Sequence, residues 1–174
     1  MKSLLLAAAL AAIAAPAAAH VSIADAKGTP GAYHAAFFRL SHGCDGSPTV
    51  ALRVEIPEEA TVARPQPKPG WTLSVETAPL ARPRTVDGET VASRVAAITW
   101  KGRLEADQFD QFGVMLRLPQ RAGPLYFPTV QTCERGENRW VDIPAAGAAW
   151  TSVPHPAPAI ELDGSSGGEA HHGH

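Results

Sequence analysis

The chemistry of this chain concentrates at Ala17-Ala18-Ala19-His20-Val21. Upstream, Lys2 precedes an apolar run from Leu4 through Ala15, and small residues, Ala17 and Ala19, occupy the two positions that signal peptidase reads. Residues 1–19 therefore read as an export leader, and cleavage after Ala19 makes His20 the first residue of the mature chain. A free α-amine and the δ-nitrogen of the same imidazole close a six-membered chelate ring on one metal ion, which an internal histidine cannot do unaided. Nitrogen donors in a tetragonal arrangement suit copper(II), the ion at the top of the divalent affinity series. An uncleaved leader would block the amine, so this chemistry depends on processing.

Two other groups of residues could hold a metal. Cys44 and Cys133 are the only cysteines, and both lie in the exported part, where oxidising surroundings favour a disulfide. Such a bridge would close a loop of about 90 residues and contribute on the order of 4 kcal/mol in the chain-entropy model. The competing reading is a thiolate copper site, because Cys44 stands in His42-Gly43-Cys44 and histidine with cysteine is a soft-metal set. The chain finishes His171-His172-Gly173-His174 after a Gly- and Ser-rich stretch. Three imidazoles there would capture copper, zinc or nickel loosely, or form an inert solvated end.

These residues need a scaffold, and residues 20–174 are enough for one domain with one core. Net charge is −2, with Arg spread among Asp and Glu rather than gathered on a face, which argues against nucleic acid and anionic membrane as partners. The leader is the only long apolar run, so no membrane span is expected after its removal. From Val21 onward, short extended segments alternate with turn residues and no helical period persists. In Thr49–Ile56, Val50, Leu52, Val54 and Ile56 face one way and Thr49, Ala51, Arg53 and Glu55 the other, the mark of a strand with one buried face. Alternate prolines in Pro65-Gln66-Pro67-Lys68-Pro69 favour an extended crossing, with Trp71 plugging the core beneath it. Residues 80–90 read as a polar loop, 104–108 as one helical turn, and 125–132 as a single extended segment. The expectation is an all-β chain: one β-sandwich of seven or eight strands, immunoglobulin-like or cupredoxin-like, over 20–158, then a flexible His-rich tail over 159–174. Function belongs at an end or edge of the sandwich, near the emerging N-terminus.

Several ordered motifs together carry a resemblance. They are His20-Val21 after the leader, His42-Gly43-Cys44-Asp45-Gly46-Ser47-Pro48-Thr49, Ile56-Pro57-Glu58, and Pro67-Lys68-Pro69-Gly70-Trp71. To these add Gln108-Phe109-Asp110-Gln111-Phe112 and Phe127-Pro128-Thr129-Val130-Gln131-Thr132-Cys133, followed by Trp140. The set resembles the YcnI-like copper-binding family of exported bacterial proteins, over about His20 to Pro158. The resemblance implies a β-sandwich holding one copper(II) through a mono-histidine brace: amine and imidazole of the first mature residue plus a carboxylate, with a tryptophan close by. His20 matches the brace and Trp140 the tryptophan. Glu58 is the first choice of carboxylate, with Glu55 and Glu59 behind it.

The expected function is copper delivery, buffering or resistance in the periplasm or outside the cell, without catalysis. The partner would be copper itself, with another periplasmic or membrane copper-transport protein. Two other classes compete. A copper oxygenase would need a second histidine, for which His34, His42 and His155 are available; a metal-free sandwich module would bind another protein by an edge or by the proline crossing. No Ser/His/Asp arrangement, phosphate-binding loop or paired-cysteine zinc pattern is present.

Overall fold

The computed structural model describes residues 20–86 and 88–164, so the leader and the His171–His174 end lie outside the described residues. The chain forms an all-β sandwich. Strands β1 (Ser22–Ile23), β3 (Tyr33–Leu40), β8 (Asp110–Arg117) and β5 (Val62–Pro65) make one antiparallel sheet in that order. The second sheet runs β11 (Glu137–Trp140), β10 (Thr129–Cys133), β4 (Thr49–Glu55), β7 (Glu89–Leu104), β6 (Thr72–Val86). A third, small sheet sets β12 (Ala159–Leu162) between β2 (Lys27–Gly28) and β9 (Gly123–Tyr126), parallel to β2 and antiparallel to β9.

Alternation decides what goes inside. Ala36, Phe38 and Leu40 of β3, with Phe112, Val114 and Leu116 of β8, meet Leu52 and Val54 of β4 and Ile98 and Trp100 of β7 in one buried cluster. Aromatic edges lock the layers: Phe38 meets Phe127 at 5.5 Å between ring centroids, and Trp100 meets Phe112 at 5.5 Å. Trp71 stands edge-on to Phe112 at 4.9 Å, the core-plug role expected of it. Its ring lies so close to Gly102 that a Cβ there would fall 2.4 Å from the indole, so only glycine lets the strand pass beneath. The crossing itself is tied down by Trp100 Nε1, which donates to the Gln66 carbonyl at 3.2 Å.

Six expectations need correction. The described residues hold twelve strands, not seven or eight. Part of the excess comes from Pro128, which cannot donate to a ladder and splits the segment 125–132 into β9 and β10, members of different sheets. The stretch expected as a polar loop is largely strand: β6 and β7 continue past the sheet as a two-stranded ribbon, paired from Thr77↔Val95 to Pro79↔Ser93 and again from Arg84↔Val91 to Val86↔Glu89, with an irregularity between Pro79 and Arg84. Thr49 is fully buried rather than outward, because β4 carries one extra residue opposite Thr132–Cys133 of β10, which turns Thr49 inward opposite Cys133. Residues 104–108 make only a turn, closed by Gln108 N–H on the Glu105 carbonyl at 3.1 Å. The ordered fold also runs beyond Pro158, since Ala159–Leu162 is a strand with Ile160 and Leu162 in the core.

Cys44 and Cys133 form a disulfide, both sulfurs belonging to residues no more than 4 % exposed. That removes the thiolate copper site. Beside it, the Gln131 side-chain amide donates to the His42 carbonyl at 2.9 Å and to Thr49 Oγ1 at 2.8 Å. Buried polar atoms this close to a cross-link hold its two loops in register.

Candidate metal centre

Val21 is 1 % exposed, and the next two residues pair with β3 as Ser22↔Arg39 and Ile23↔Phe38. Anchoring so close to the start of the fold fixes where His20 can go. Its half-buried ring lies against two indoles: Trp140 at 4.8 Å and 43° between planes, and Trp150 at 5.4 Å and 56°. Trp140 closes β11, where it pairs with Thr129 of β10. Trp150 opens a single 3-10 turn, Trp150–Ser152, and is held by its own N–H, which donates to the Ala157 carbonyl at 2.7 Å.

A fourth aromatic ring joins them. His155 stands edge-on to Trp140 at 5.8 Å. Its backbone is fixed by Asp142: the His155 N–H donates to Asp142 Oδ2 at 3.0 Å, and the Asp142 N–H donates to the His155 carbonyl at 2.9 Å. Pro154 and Pro156 on either side stiffen the same segment, while the His155 residue itself is exposed. Trp140 is only 5 % exposed, yet its Nε1 is buried without a hydrogen-bond partner. A buried donor in that condition costs free energy until an acceptor reaches it.

A family model described as "Domain of unknown function (DUF1775)" matches residues 20–162. The chain belongs to the DUF1775 family. The DUF1775 match begins at His20 and ends with Leu162, the last residue of β12, so it takes in the whole described sandwich and the aromatic cluster. Among solved structures, a protein from Nocardia farcinica is similar, in a crystal structure titled as that of an uncharacterized protein that reveals an immunoglobulin-like fold. It is 28% identical, with 82% of this chain and 97% of that chain covered and a TM-score of 0.61. No curated protein matches this DUF1775 chain.

Of the three residues expected at the metal, the fold brings His20 and Trp140 together and holds Glu58 elsewhere. The Glu58 carboxylate lies 3.8 Å from Arg94 Nε, and its carbonyl accepts from both terminal nitrogens of Arg84 at 3.2 Å. Arg94 is on β7, three places from β11 in the sheet order, which at about 4.8 Å per strand is about 14 Å across the sheet. Glu59 is also engaged: Arg121 grips both of its carboxylate oxygens at 2.6 Å. Those hydrogen bonds, reinforced by the Arg121 charge and opposed by partial burial, hold its carboxyl below the usual range. Glu55 ends β4, exposed. Among the described residues no three His, Cys, Asp or Glu side chains converge as a preformed metal cage.

Trp150 and Asp142 were not singled out by the sequence reading, and His155 stood only among three equal histidines. The signal for Asp142 was the i, i+2 spacing from Trp140, which puts both on one side of an extended segment. Trp150 also lines a groove of about 850 Å³ with Ile23, Tyr126, Pro124, Ala159 and Glu161, so the same indole belongs to the histidine cluster and to an apolar trough.

Proposed function

We propose that this protein binds copper(II) outside the cytoplasm, using the α-amine and imidazole of His20 once the leader is removed. It serves copper delivery, buffering or resistance rather than catalysis. The observation that carries this reading is the seating of the His20 ring between Trp140 and Trp150, on a residue that stands directly before the first buried position of the fold. Rings on both indoles limit the rotamers of His20, so less side-chain entropy is lost when Nδ1 and the amine turn to one ion.

Further support comes from the donor set. An amine and an imidazole are the nitrogen ligands copper(II) prefers. The partnerless Trp140 Nε1–H suits an oxygen ligand on the ion, a water or a carboxylate, because a donor beside the centre would hold that oxygen. The motif resemblance to the YcnI-like family points the same way. The Cys44–Cys133 disulfide agrees with an oxidising compartment, and we take that to be the periplasm or the medium. Copper is cargo in this reading, and a partner protein receives or supplies it.

The test uses secreted, leader-processed protein with His171, His172 and His174 all replaced by alanine, so that only the folded site reports. Copper(II) should quench indole fluorescence to a plateau at one ion per chain, because a paramagnetic ion on His20 lies against Trp140 and Trp150. Trp140→Phe and Trp150→Phe should each remove part of the quenched signal, whereas Trp71→Phe should leave it. Quenching that fails to saturate at one equivalent, or that survives loss of both indoles, sinks the proposal.

A further inference from the structure

We infer that His155 is a second imidazole donor to the ion held by His20. This inference rests on the copper reading above and adds a residue to it. His20 and His155 are set against one indole, with centroids 4.8 and 5.8 Å from that of Trp140. The other described histidines are committed elsewhere: His34 Nε2 lies 3.0 Å from the Asp25 carbonyl, and His42 Nδ1 lies 2.6 Å from the Gly43 carbonyl. Neither makes a ring contact with the cluster.

His155 combines a fixed backbone with an exposed side chain. Asp142 holds its N–H and its carbonyl at once, the Ala157 N–H returns to the Asp142 carbonyl at 2.8 Å, and prolines flank it on both sides. No described hydrogen bond holds its imidazole, so χ1 and χ2 can change without breaking one. An arm of that kind supplies a ligand with little ordering cost beyond one side chain. With the amine, the two imidazoles make a three-nitrogen set, and Glu58 can keep its pairing with Arg94.

Electron spin echo envelope modulation counts the imidazoles on copper(II) through their remote nitrogens. On the full processed chain with the three tail histidines replaced by alanine, the inference expects a two-imidazole pattern at one equivalent. His155→Ala should convert it to one imidazole and weaken binding by 10- to 100-fold, and His155→Asn should do the same while keeping a polar side chain on the loop. A one-imidazole pattern in the parent protein overturns the inference without needing a variant. If His155→Ala leaves pattern and affinity alone while His20→Ala removes both, the inference fails and the brace stands; if neither histidine matters, both fail.

Discussion

Replacing His20 with alanine in processed protein, with the tail histidines also replaced, lowers copper(II) affinity by at least about 100-fold. Loss of an outer-shell partner alone typically costs 10–100-fold, and here a ligand that closes a chelate ring disappears. Adding one residue ahead of His20 does nearly as much damage, because it converts the amine to an amide and leaves every side chain in place. The two variants separate the brace from ordinary imidazole binding, which only the first would disturb. Affinity should also fall with acidification: copper must displace a proton from an α-amine whose usual pKa is about 7.7–8.0, so the competition strengthens as pH drops below that range. Isothermal titration against a competing chelator at several pH values reads all three. Affinity for the extended chain within a factor of about three of the parent would exclude any role for the amine.

Converting both Cys44 and Cys133 to alanine lowers unfolding free energy by about 2–5 kcal/mol, a large part of the 5–15 kcal/mol available to a domain. The bridge spans a sequence separation of 89, so its absence frees a large loop in the unfolded chain. In the native state the change is felt locally, because Gln131, Thr49 and the His42 carbonyl form a buried polar group beside the bond. At about 2–4 °C per kcal/mol for a chain of this size, thermal melts should shift down by roughly 5–20 °C. Burial adds a kinetic corollary. Reductant without denaturant should break the bond no faster than the protein opens, and rapid reduction of folded protein would contradict the placement of these cysteines in the core.

The sandwich was legible because its inner faces obey a period of two. Leu52, Val54 and Ile56 are buried where alternation puts them, and so are Phe112, Val114, Leu116 and Leu118. The failures have local causes. A bulge at Thr49–Ala51 against β10 shifts one position and turns a polar residue inward, which no alternation rule anticipates. The residue 80–90 ribbon was hidden by its prolines and arginines, since those types usually signal loops and here sit on an exposed two-stranded extension. At the candidate centre, His20 and Trp140 were readable from motif and leader position. The pairing of Trp150 and His155 with them was not, because the segment after β11 has no regular period and is folded back on itself by the bridge between Asp142 and Pro156. Glu58 was chosen from the Ile56-Pro57-Glu58 motif; only the fold reveals that the chain there leans toward Arg94 of β7 and Arg84 of β6.

The last strand has a practical bearing on how fragments of this protein are cut. A boundary drawn at Pro158 would strip β2 and β9 of their shared neighbour and leave two raw edges open to aggregation. It would also pull Ile160 and Leu162 from under the opening segment that carries His20. Trimming should stop no earlier than Asp163, whose N–H still closes on the Gly28 carbonyl at 3.1 Å. The two extremities of the fold are thus stitched into one seam, and whatever loosens the finish of the chain also unsettles its start.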